Sequence, residues 1–373
     1  MPSETNRERT RPSIDLGAIS SVLLLRLRSL GDTVLMTPVI SALRRWRSDL
    51  HIAALVEERF AAILQHNPKL DAVLEVDTCR AGPSYGLLPK WKTAMAIRRR
   101  RYDLVVNLHG GTTSLLFTSL ARSRYTLGLA SYRYPSAYTF RMPPPSLVWQ
   151  RRNLHTVENQ LAPLKWLGIP VEPLPRLEVF IDEAARRRVG QRLSAVGLAD
   201  RSFVLIHPTA TLFTKQWDPQ KFSQLVNYLT LSRHWPVVIT VGRAERAVAR
   251  EIQAAAGAPV IVWDDLPLSE LMAVIDRTAL FIGCDSGPAH IASALKKKVV
   301  VIFGSSSAIG WRPWHATYEL IESGLPCNPC PGHRCAVFDE PKCIQSITVE
   351  MVAAAVDRIL SAETSDLRVP TSD

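Results

Sequence analysis

Short apolar runs alternate with amphipathic stretches along the chain, which is typical of parallel strands covered by helices on both faces. In the first half, the predicted strands are 22–27, 52–56, 72–76, 104–108 and 125–129. Helical spacing between them is clearest at 38–46, where Val39, Leu43 and Trp46 share one face, and at 89–101. The first half is therefore predicted to be a doubly wound α/β domain.

The second half repeats this plan, with predicted strands at 203–206, 237–241, 260–263, 280–283 and 299–303. Several prolines between 163 and 175 and an Arg-rich helix predicted near 184–196 separate the halves. We predict the α/β class, with two Rossmann-like domains of doubly wound parallel sheet facing across a cleft. The predicted ranges are a mobile tail at 1–19, an N-terminal domain at 20–180, a linker region at 181–201 and a C-terminal domain at 202–373.

The composition is that of an ordinary globular protein, since 47% of the 373 residues are apolar and 21% are charged. The 45 Lys and Arg exceed the 34 Asp and Glu, and the net charge of +11 indicates an anionic partner: nucleic acid, an acidic membrane or a phosphorylated substrate. No nucleic-acid recognition motif is visible, so nucleic acid is not expected.

Because no apolar run approaches the ~20 residues that span a bilayer, and no signal peptide is visible, we expect a cytoplasmic protein, soluble or peripheral.

The loop after the first predicted strand carries a candidate catalytic carboxylate, Asp32. This loop has one glycine, Gly31, where a dinucleotide fingerprint needs three, so NAD binding is not expected there. Asp32 has two interpretations: an N-cap that accepts backbone N–H groups, or a general base in the cleft. Spacing does not separate them, and one residue can do both.

Two loops of the second half offer groups for a nucleotide. In 207–217, Thr209, Thr211 and Lys215 supply hydroxyls and one positive charge that suit a phosphate, although a solvated loop is an equal interpretation. Glu245, after the strand 237–241, is placed to reach a ribose diol, or simply favours the start of a helix.

The segment 284–290 follows another predicted strand and begins a helix. Small residues such as Ser286 and Gly287 leave the N–H groups of a helix start open to an anion, so a diphosphate fits there. Asp285 and Ser286 are also ordinary caps, and His290 suits a buried core position as well as a ligand contact.

Four cysteines lie within 17 residues, at Cys327, Cys330, Cys335 and Cys343. Four thiolates can hold zinc, although zinc sites usually separate two Cys-x2-Cys pairs more widely. A reduced, partly buried loop and a labile disulfide are the alternatives, so zinc is one of three open interpretations.

Four segments, in their order and spacing, resemble the lipopolysaccharide heptosyltransferases of glycosyltransferase family 9, in the branch labelled heptosyltransferase III. They are R-L-R-S-L-G-D-T-V-L-M-T-P at 26–38, H-P-x-A at 207–210 with K-Q-W at 215–217, G-R-A-E at 242–245, and F-I-G-C-D-S-G-P-A-H-I-A-S-A-L at 281–295. The last is the most specific, and the resemblance runs from about residue 20 to about residue 360.

The resemblance implies the GT-B fold, with the acceptor on the N-terminal domain and the nucleotide sugar on the C-terminal one. It also implies inverting transfer from ADP-L-glycero-β-D-manno-heptose to the lipopolysaccharide inner core, with no required cofactor. Asp32 matches the family's general base and Lys215 its phosphate-binding lysine. The other implied donor contacts are Thr209, Thr211, Glu245, Asp285, Ser286, Gly287 and His290.

Arg26, Arg28 and the run 98–101 are the first candidates for the acceptor side, since the acceptor bears phosphates and acidic sugars. We expect a lipid A-core oligosaccharide acceptor and peripheral contact with the inner membrane at its cytoplasmic face. Two alternatives remain: a sugar-nucleotide epimerase with the same fold, and a non-catalytic nucleotide-binding protein whose Cys-rich loop holds metal or senses redox state.

Overall fold

The structure, a computed structural model, describes residues 13–77, 87–330 and 332–361. The chain divides into two compact units between Phe180 and Ile181. Of the predicted N-terminal tail, residues 1–12 lie outside the described ranges. Residues 13–19 include the 3-10 turn Leu16–Ala18, and the Arg47 guanidinium donates to the carbonyls of Gly17 and Ile19.

The first unit contains a six-stranded parallel sheet in the order β3-β2-β1-β4-β5-β6. Its strands are β1 (Ser21–Leu25), β2 (His51–Glu57), β3 (Ala72–Val76), β4 (Leu104–Asn107), β5 (Tyr125–Leu129) and β6 (Phe140–Met142). Its helices are α1 (Leu30–Leu35), α2 (Thr37–Trp46), α3 (Leu87–Arg100), α4 (Thr112–Leu120), α5 (Pro145–Trp149) and α6 (Thr156–Leu167).

The central strand β1 is buried along its whole length, because it pairs with β2 on one side and β4 on the other and both of its faces are covered. Side chains of a strand alternate between the two faces of a sheet. Leu23 and Leu25 point to the face covered by α3 and α4, where they join a core that includes Ile97 and Phe117. A run of consecutive apolar residues is what such a doubly covered strand requires.

The second unit repeats the architecture, with a parallel sheet in the order β12-β11-β10-β7-β8-β9. Its strands are β7 (Val204–His207), β8 (Val237–Thr240), β9 (Ile261–Trp263), β10 (Leu280–Cys284), β11 (Lys298–Ile302) and β12 (Tyr318–Ile321). Its helices are α7 (Glu183–Ala195), α8 (Pro219–Asn227), α9 (Arg246–Ala255), α10 (Leu268–Arg277), α11 (Gly287–Ala294), α12 (Ala308–Trp311), α13 (Lys342–Gln345) and α14 (Val349–Ser361).

The segment 181–201, predicted as a linker region, contains α7. This helix packs against α10, and the Arg188 Nε lies 2.5 Å from Oε1 of Glu270. Asp182 begins the helix by accepting hydrogen bonds from the N–H groups of Ala184 and Ala185. The segment is therefore part of the second unit.

The predicted α/β class, with two parallel sheets covered by helices, is confirmed. Because β1, β2 and β4 are neighbours, the loops that follow them meet at one edge of the first sheet, and the loops after β7, β8, β10 and β11 meet at the corresponding edge of the second. Within the described ranges, no helix is long and apolar enough to cross a bilayer.

Candidate active site

In the first unit, Asp32 lies in the first turn of α1, directly after the central strand. Ser29 is the N-cap, so the expectation that Asp32 is the N-cap is wrong by three positions. The Asp32 carboxylate accepts hydrogen bonds from the Ser29 N–H and hydroxyl, both at 3.1 Å, in a capping-box arrangement. Its side chain is 13% exposed, so this carboxylate still reaches solvent at the carboxyl edge of the sheet.

The two arginines after β1 have different partners. Arg26 forms an ion pair with Asp32 and also donates to the Leu108 carbonyl, so its guanidinium is committed to fixing the carboxylate and the loop after β4. Arg28 is 56% exposed, and its Nε lies 3.0 Å from Oε1 of Glu57. Of this predicted acceptor pair, only Arg28 therefore presents much of its side chain to solvent.

Glu57 and His109 also lie at this edge, and no motif in the sequence predicts either of them. The Glu57 side chain is 3% exposed and is paired by Arg28 and by Arg59, whose own side chain is 54% exposed. Burial, and secondarily the positive charge of Arg26, lowers the pKa of His109. These residues end β2 or follow β4, so asking which polar residues end the strands adjacent to β1 would have found them.

The run 98–101 does not lie at this edge, so the structure does not bring it together with Asp32, and its role on the acceptor side stays a prediction. α3 returns antiparallel to the strands and ends just before β4 begins, which places its C-terminal arginines where the strands start. The charge of Arg100 lowers the pKa of His51, the first residue of β2, after the larger effect of burial. Asp32 lies at the opposite end of the sheet.

In the second unit, Lys215, in the loop that follows β7, forms an ion pair with Asp285, which comes directly after β10. The Lys215 Nζ lies 2.8 Å from Oδ2 of Asp285, whose side chain is 3% exposed. The Ser306 hydroxyl donates to the same carboxylate, and the His290 Nε2 lies 4.0 Å from Oδ1. Lys215 itself is 21% exposed, so its ammonium is the accessible member of the group.

Trp311 also borders this group, with its ring centroid 5.8 Å from the Lys215 Nζ and 6.1 Å from the His290 ring. Trp314, three residues further along, is buried at 7% exposure. Trp311 is therefore the tryptophan of this stretch that lies beside the charged group.

Ser286 is the N-cap of α11, yet its hydroxyl makes no cap hydrogen bond. This oxygen is buried and has no hydrogen-bond partner among the described residues. Gly287 and Pro288 occupy the first turn, where backbone N–H groups have no acceptor within the helix. The missing N–H of a proline therefore breaks no helical hydrogen bond there. An unpartnered hydroxyl beside a helix start suits an anionic ligand that accepts from both.

Thr209 and Glu245 lie around a buried histidine, His207, at the ends of β7 and β8. The His207 ring lies 3.3 Å from the Thr209 hydroxyl and 3.4 Å from that of Thr240. Burial lowers the pKa of His207 to about 4, against the opposing charge of Glu245. The Glu245 carboxylate accepts from the Gly242 N–H at 3.1 Å.

The three hydroxyls of the loop after β7 differ in exposure. Thr209 is buried against His207, and Thr214 is buried with its hydroxyl 2.9 Å from that of Ser305 and donating to the Gly332 carbonyl. Thr211 is exposed. The loop therefore has two hydroxyls that organise the site and one that is open to a ligand.

The four clustered cysteines line one small pocket of about 30 Å³, together with Phe338 and other residues. All four are free thiols, and burial raises the pKa of Cys343. In the part of the chain that the structure describes, no three His, Cys, Asp or Glu side chains are arranged to hold a metal ion. The four thiols therefore share one pocket without the arrangement of metal ligands, and none of the four is in a disulfide.

The structure thus brings most of the predicted residues together in groups, each at the carboxyl edge of a sheet. Asp32, Arg26 and Arg28 lie at the edge of the first sheet. The edge of the second holds Lys215, Asp285, Ser286, Gly287 and His290, with Thr209, Thr211 and Glu245 on the neighbouring loops. A carboxylate in one unit and a lysine beside a helix start in the other suit proton removal and diphosphate binding, respectively.

Comparisons with known proteins bear on both units. The sequence model of glycosyltransferase family 9 (heptosyltransferase) matches residues 90–338. Lipopolysaccharide heptosyltransferase 3 of Escherichia coli is 30% identical over 292 residues, covering 77% of this chain and 84% of the relative.

Two solved structures show the same fold. A glycosyl transferase of family 9 from Veillonella parvula DSM 2008 has a TM-score of 0.79 at 20% identity, covering 92% of this chain and 98% of its own. The E. coli heptosyltransferase WaaC with ADP-2-deoxy-2-fluoro heptose has a TM-score of 0.66 at 18% identity, covering 91% and 99%.

Proposed function

The chain belongs to glycosyltransferase family 9, the heptosyltransferase family, and we propose that it transfers a heptose from ADP-L-glycero-β-D-manno-heptose to the lipopolysaccharide inner core, with inversion at the anomeric carbon. The E. coli relative named lipopolysaccharide heptosyltransferase 3 supports the acceptor class. The solved WaaC complex with an ADP-heptose analogue supports the donor class. Membership of this enzyme family sets aside the epimerase and the non-catalytic alternatives.

The observation that carries the donor assignment is the group formed by Lys215, Asp285 and the unpartnered Ser286 hydroxyl. In the proposal, the diphosphate of the donor accepts hydrogen bonds from Lys215 and from the start of α11 through Ser286, Gly287 and Ala289. Negative charge grows on the diphosphate as the bond to the sugar breaks, so these fixed positive groups stabilise the transition state more than the bound donor. Asp285, partnered by Lys215 and close to His290, then faces the heptose hydroxyls.

Asp32 is the proposed general base. Its carboxylate takes the proton from the acceptor hydroxyl as that oxygen attacks the anomeric carbon, and ADP departs from the opposite face, so the configuration inverts. The Arg26 ion pair and the Ser29 hydrogen bonds hold the carboxylate in one orientation, so the carboxylate does not have to reorient during the reaction. No metal is assigned a step.

The neighbouring residues have supporting roles in this proposal. Thr211, the exposed hydroxyl of its loop, contacts the donor phosphates, and Thr209 shapes the loop through His207. Glu245 binds the ribose diol. Arg28 binds an acidic group of the lipid A-core acceptor, because its guanidinium is exposed beside Asp32's edge of the sheet. We also propose that the protein works at the cytoplasmic face of the inner membrane as a peripheral protein.

The test is a transfer assay with purified protein, ADP-heptose and core oligosaccharide that lacks the final heptose. The expected result is stoichiometric release of ADP and a product heptose in the α configuration by NMR. Donor converted without acceptor, or a product that keeps the β configuration, would contradict the proposal. Replacing ADP-heptose with ADP-glucose tests the donor sugar, and we expect markedly slower transfer.

A further inference from the structure

Residues 87–157 carry the whole positive excess of the chain. They include twelve Lys and Arg and a single acidic residue, Asp103, so their net charge of +11 equals that of all 373 residues. The Asp103 carboxylate accepts hydrogen bonds from Ser20 and Ser21. A charge excess confined to one stretch of the first unit indicates a local anionic partner, not a general aid to solubility.

The helix α3 presents much of this charge on its outward side. Ala94 and Ile97 are buried against the sheet, whereas Lys92, Arg99 and Arg100 are exposed. Residues seven or eight apart return to the same side of a helix, so these three charges form one stripe. Within the described ranges, none of the three has a carboxylate partner.

Large apolar side chains accompany the charges. Trp91, beside Lys92 on α3, is 58% exposed, and Leu116 on the adjacent helix α4 is 50% exposed. The sequence of α4 contains no charged residue. Exposed Trp and Leu next to a basic stripe are characteristic of helices that lie in the interface of a membrane, where the indole enters the headgroup region and the cations meet acidic lipids.

The position of this stripe argues against direct binding of the reacting sugar. Arg99 and Arg100 lie at the edge where the strands of the first sheet begin, and Asp32 lies where they end. α3 has 14 residues and is about 20 Å long, so its charges spread along a line and do not converge on a point. A line of charge matches an extended anionic surface better than one phosphate.

We propose that the α3–α4 face, defined by Trp91, Lys92, Arg99, Arg100 and Leu116, docks on a bilayer containing anionic phospholipid, with α3 along the membrane plane. The inference deepens the proposed function, since a lipid-anchored acceptor requires the enzyme to reach a membrane surface. The docking charges are separate from the residues proposed for transfer.

The experiment measures sedimentation of the full chain with vesicles of phosphatidylcholine, with and without phosphatidylglycerol. The expected result is binding that needs phosphatidylglycerol and falls as salt rises. The variant Lys92→Gln/Arg99→Gln/Arg100→Gln should bind roughly 100-fold more weakly, at about one kcal/mol for each charge lost. Trp91→Ala should weaken binding without changing its salt dependence.

Matched controls come from the second unit. Arg187→Gln/Arg250→Gln/Lys296→Gln removes three exposed charges there, and Leu231→Ala removes a side chain that is 58% exposed; both should bind as wild type does. Equal loss in the charge variant and its control, or no binding of wild type at low salt, would overturn the proposal. Transfer to delipidated core oligosaccharide should be unchanged in every variant, and failure of wild type in that assay counts against the proposed function alone.

Discussion

The ammonium of Lys215 lies 2.8 Å from the buried carboxylate of Asp285, so the charge assigned to the donor diphosphate already has an anionic partner in the chain. The Ser306 hydroxyl donates to the same carboxylate. This arrangement holds the lysine at the start of α11 before any ligand binds. The same ion pair contributes both to the stability of the second unit and to the proposed binding of ADP, and substitutions of Lys215 and Asp285 can separate these two effects.

Lys215→Ala should weaken ADP binding 10- to 100-fold, because a hydrogen bond to a charged group contributes about 1.5–3 kcal/mol. It should also lower the melting temperature, since it leaves the Asp285 charge buried without its ion-pair partner. Lys215→Ala/Asp285→Asn should recover the stability but not the ADP affinity. Calorimetry and thermal unfolding measure the two effects, with Lys296→Ala as an exposed control; ADP affinity within twofold of wild type would remove Lys215 from the donor site.

Ser286→Ala should bind ADP at least several-fold more weakly while its melting temperature stays equal to that of wild type or rises. The reason is that the buried hydroxyl has no partner among the described residues, so its removal breaks no hydrogen bond within them. Asp218→Ala is the control, because Asp218 does cap a helix, α8, through the Gln220 N–H. That variant should lose about 1 kcal/mol of stability and keep its ADP affinity. A destabilised Ser286→Ala protein would contradict the assignment.

The stability of the protein should fall as the pH drops from about 6.5 toward 4. Burial lowers the pKa of His207 to about 4, so over this interval the unfolded chain binds a proton that the folded chain does not. The loss from this group is at most about 1.4 kcal/mol per pH unit. His109, whose pKa burial also lowers, acts in the same direction. Urea unfolding of His207→Asn across this range should therefore give a shallower pH slope than wild type, and equal slopes would refute the buried neutral state of His207.

The cysteines should differ in their rates of alkylation. Cys284 is fully buried and its pKa is raised to about 12, and burial also raises the pKa of Cys343. Thiolates are the reactive form, so both should react with iodoacetamide more slowly than Cys327 and Cys335, which are partly exposed. Peptide mass spectrometry after timed labelling measures this order. Uniform protection of all four loop cysteines, with stoichiometric metal in the purified protein, would instead support the zinc interpretation.

The sequence predicts most strands of both sheets to within one or two residues, because buried parallel strands are runs of Val, Ile and Leu. The strand Phe140–Met142 is missed, since three residues at a sheet edge, paired through Leu127↔Phe140, carry no periodic signal. The helix Thr112–Leu120 is missed for another reason. It mixes Thr and Ser with Leu and Phe and contains no charged residue. Its pattern of apolar and polar positions therefore does not distinguish a helix from a strand.

The sequence predicts candidate site residues where a charged side chain lies in the segment after a predicted strand, as with Asp32, Lys215 and Asp285. It does not predict which side chains pair with them. The pairing of Arg26 with Asp32, and of Ser306 with Asp285, joins positions whose proximity depends on how a loop turns back on itself or on the order of strands in the sheet. The chain path also separates the run 98–101 from Asp32, because α3 ends where the strands of the first sheet begin and Asp32 lies where they end.

Asp32→Asn tests the central assignment most directly. Asparagine keeps an oxygen that accepts from the Ser29 N–H but cannot take a proton, so the start of α1 is preserved while the base, and with it the charge that pairs with Arg26, is lost. Asp103→Asn is the matched control, because Asp103 accepts hydrogen bonds from Ser20 and Ser21 at the opposite end of β1. We expect Asp32→Asn to transfer heptose about 1,000-fold more slowly than wild type, with ADP affinity within twofold, and Asp103→Asn to retain its transfer rate. Transfer by Asp32→Asn within tenfold of wild type would contradict the account.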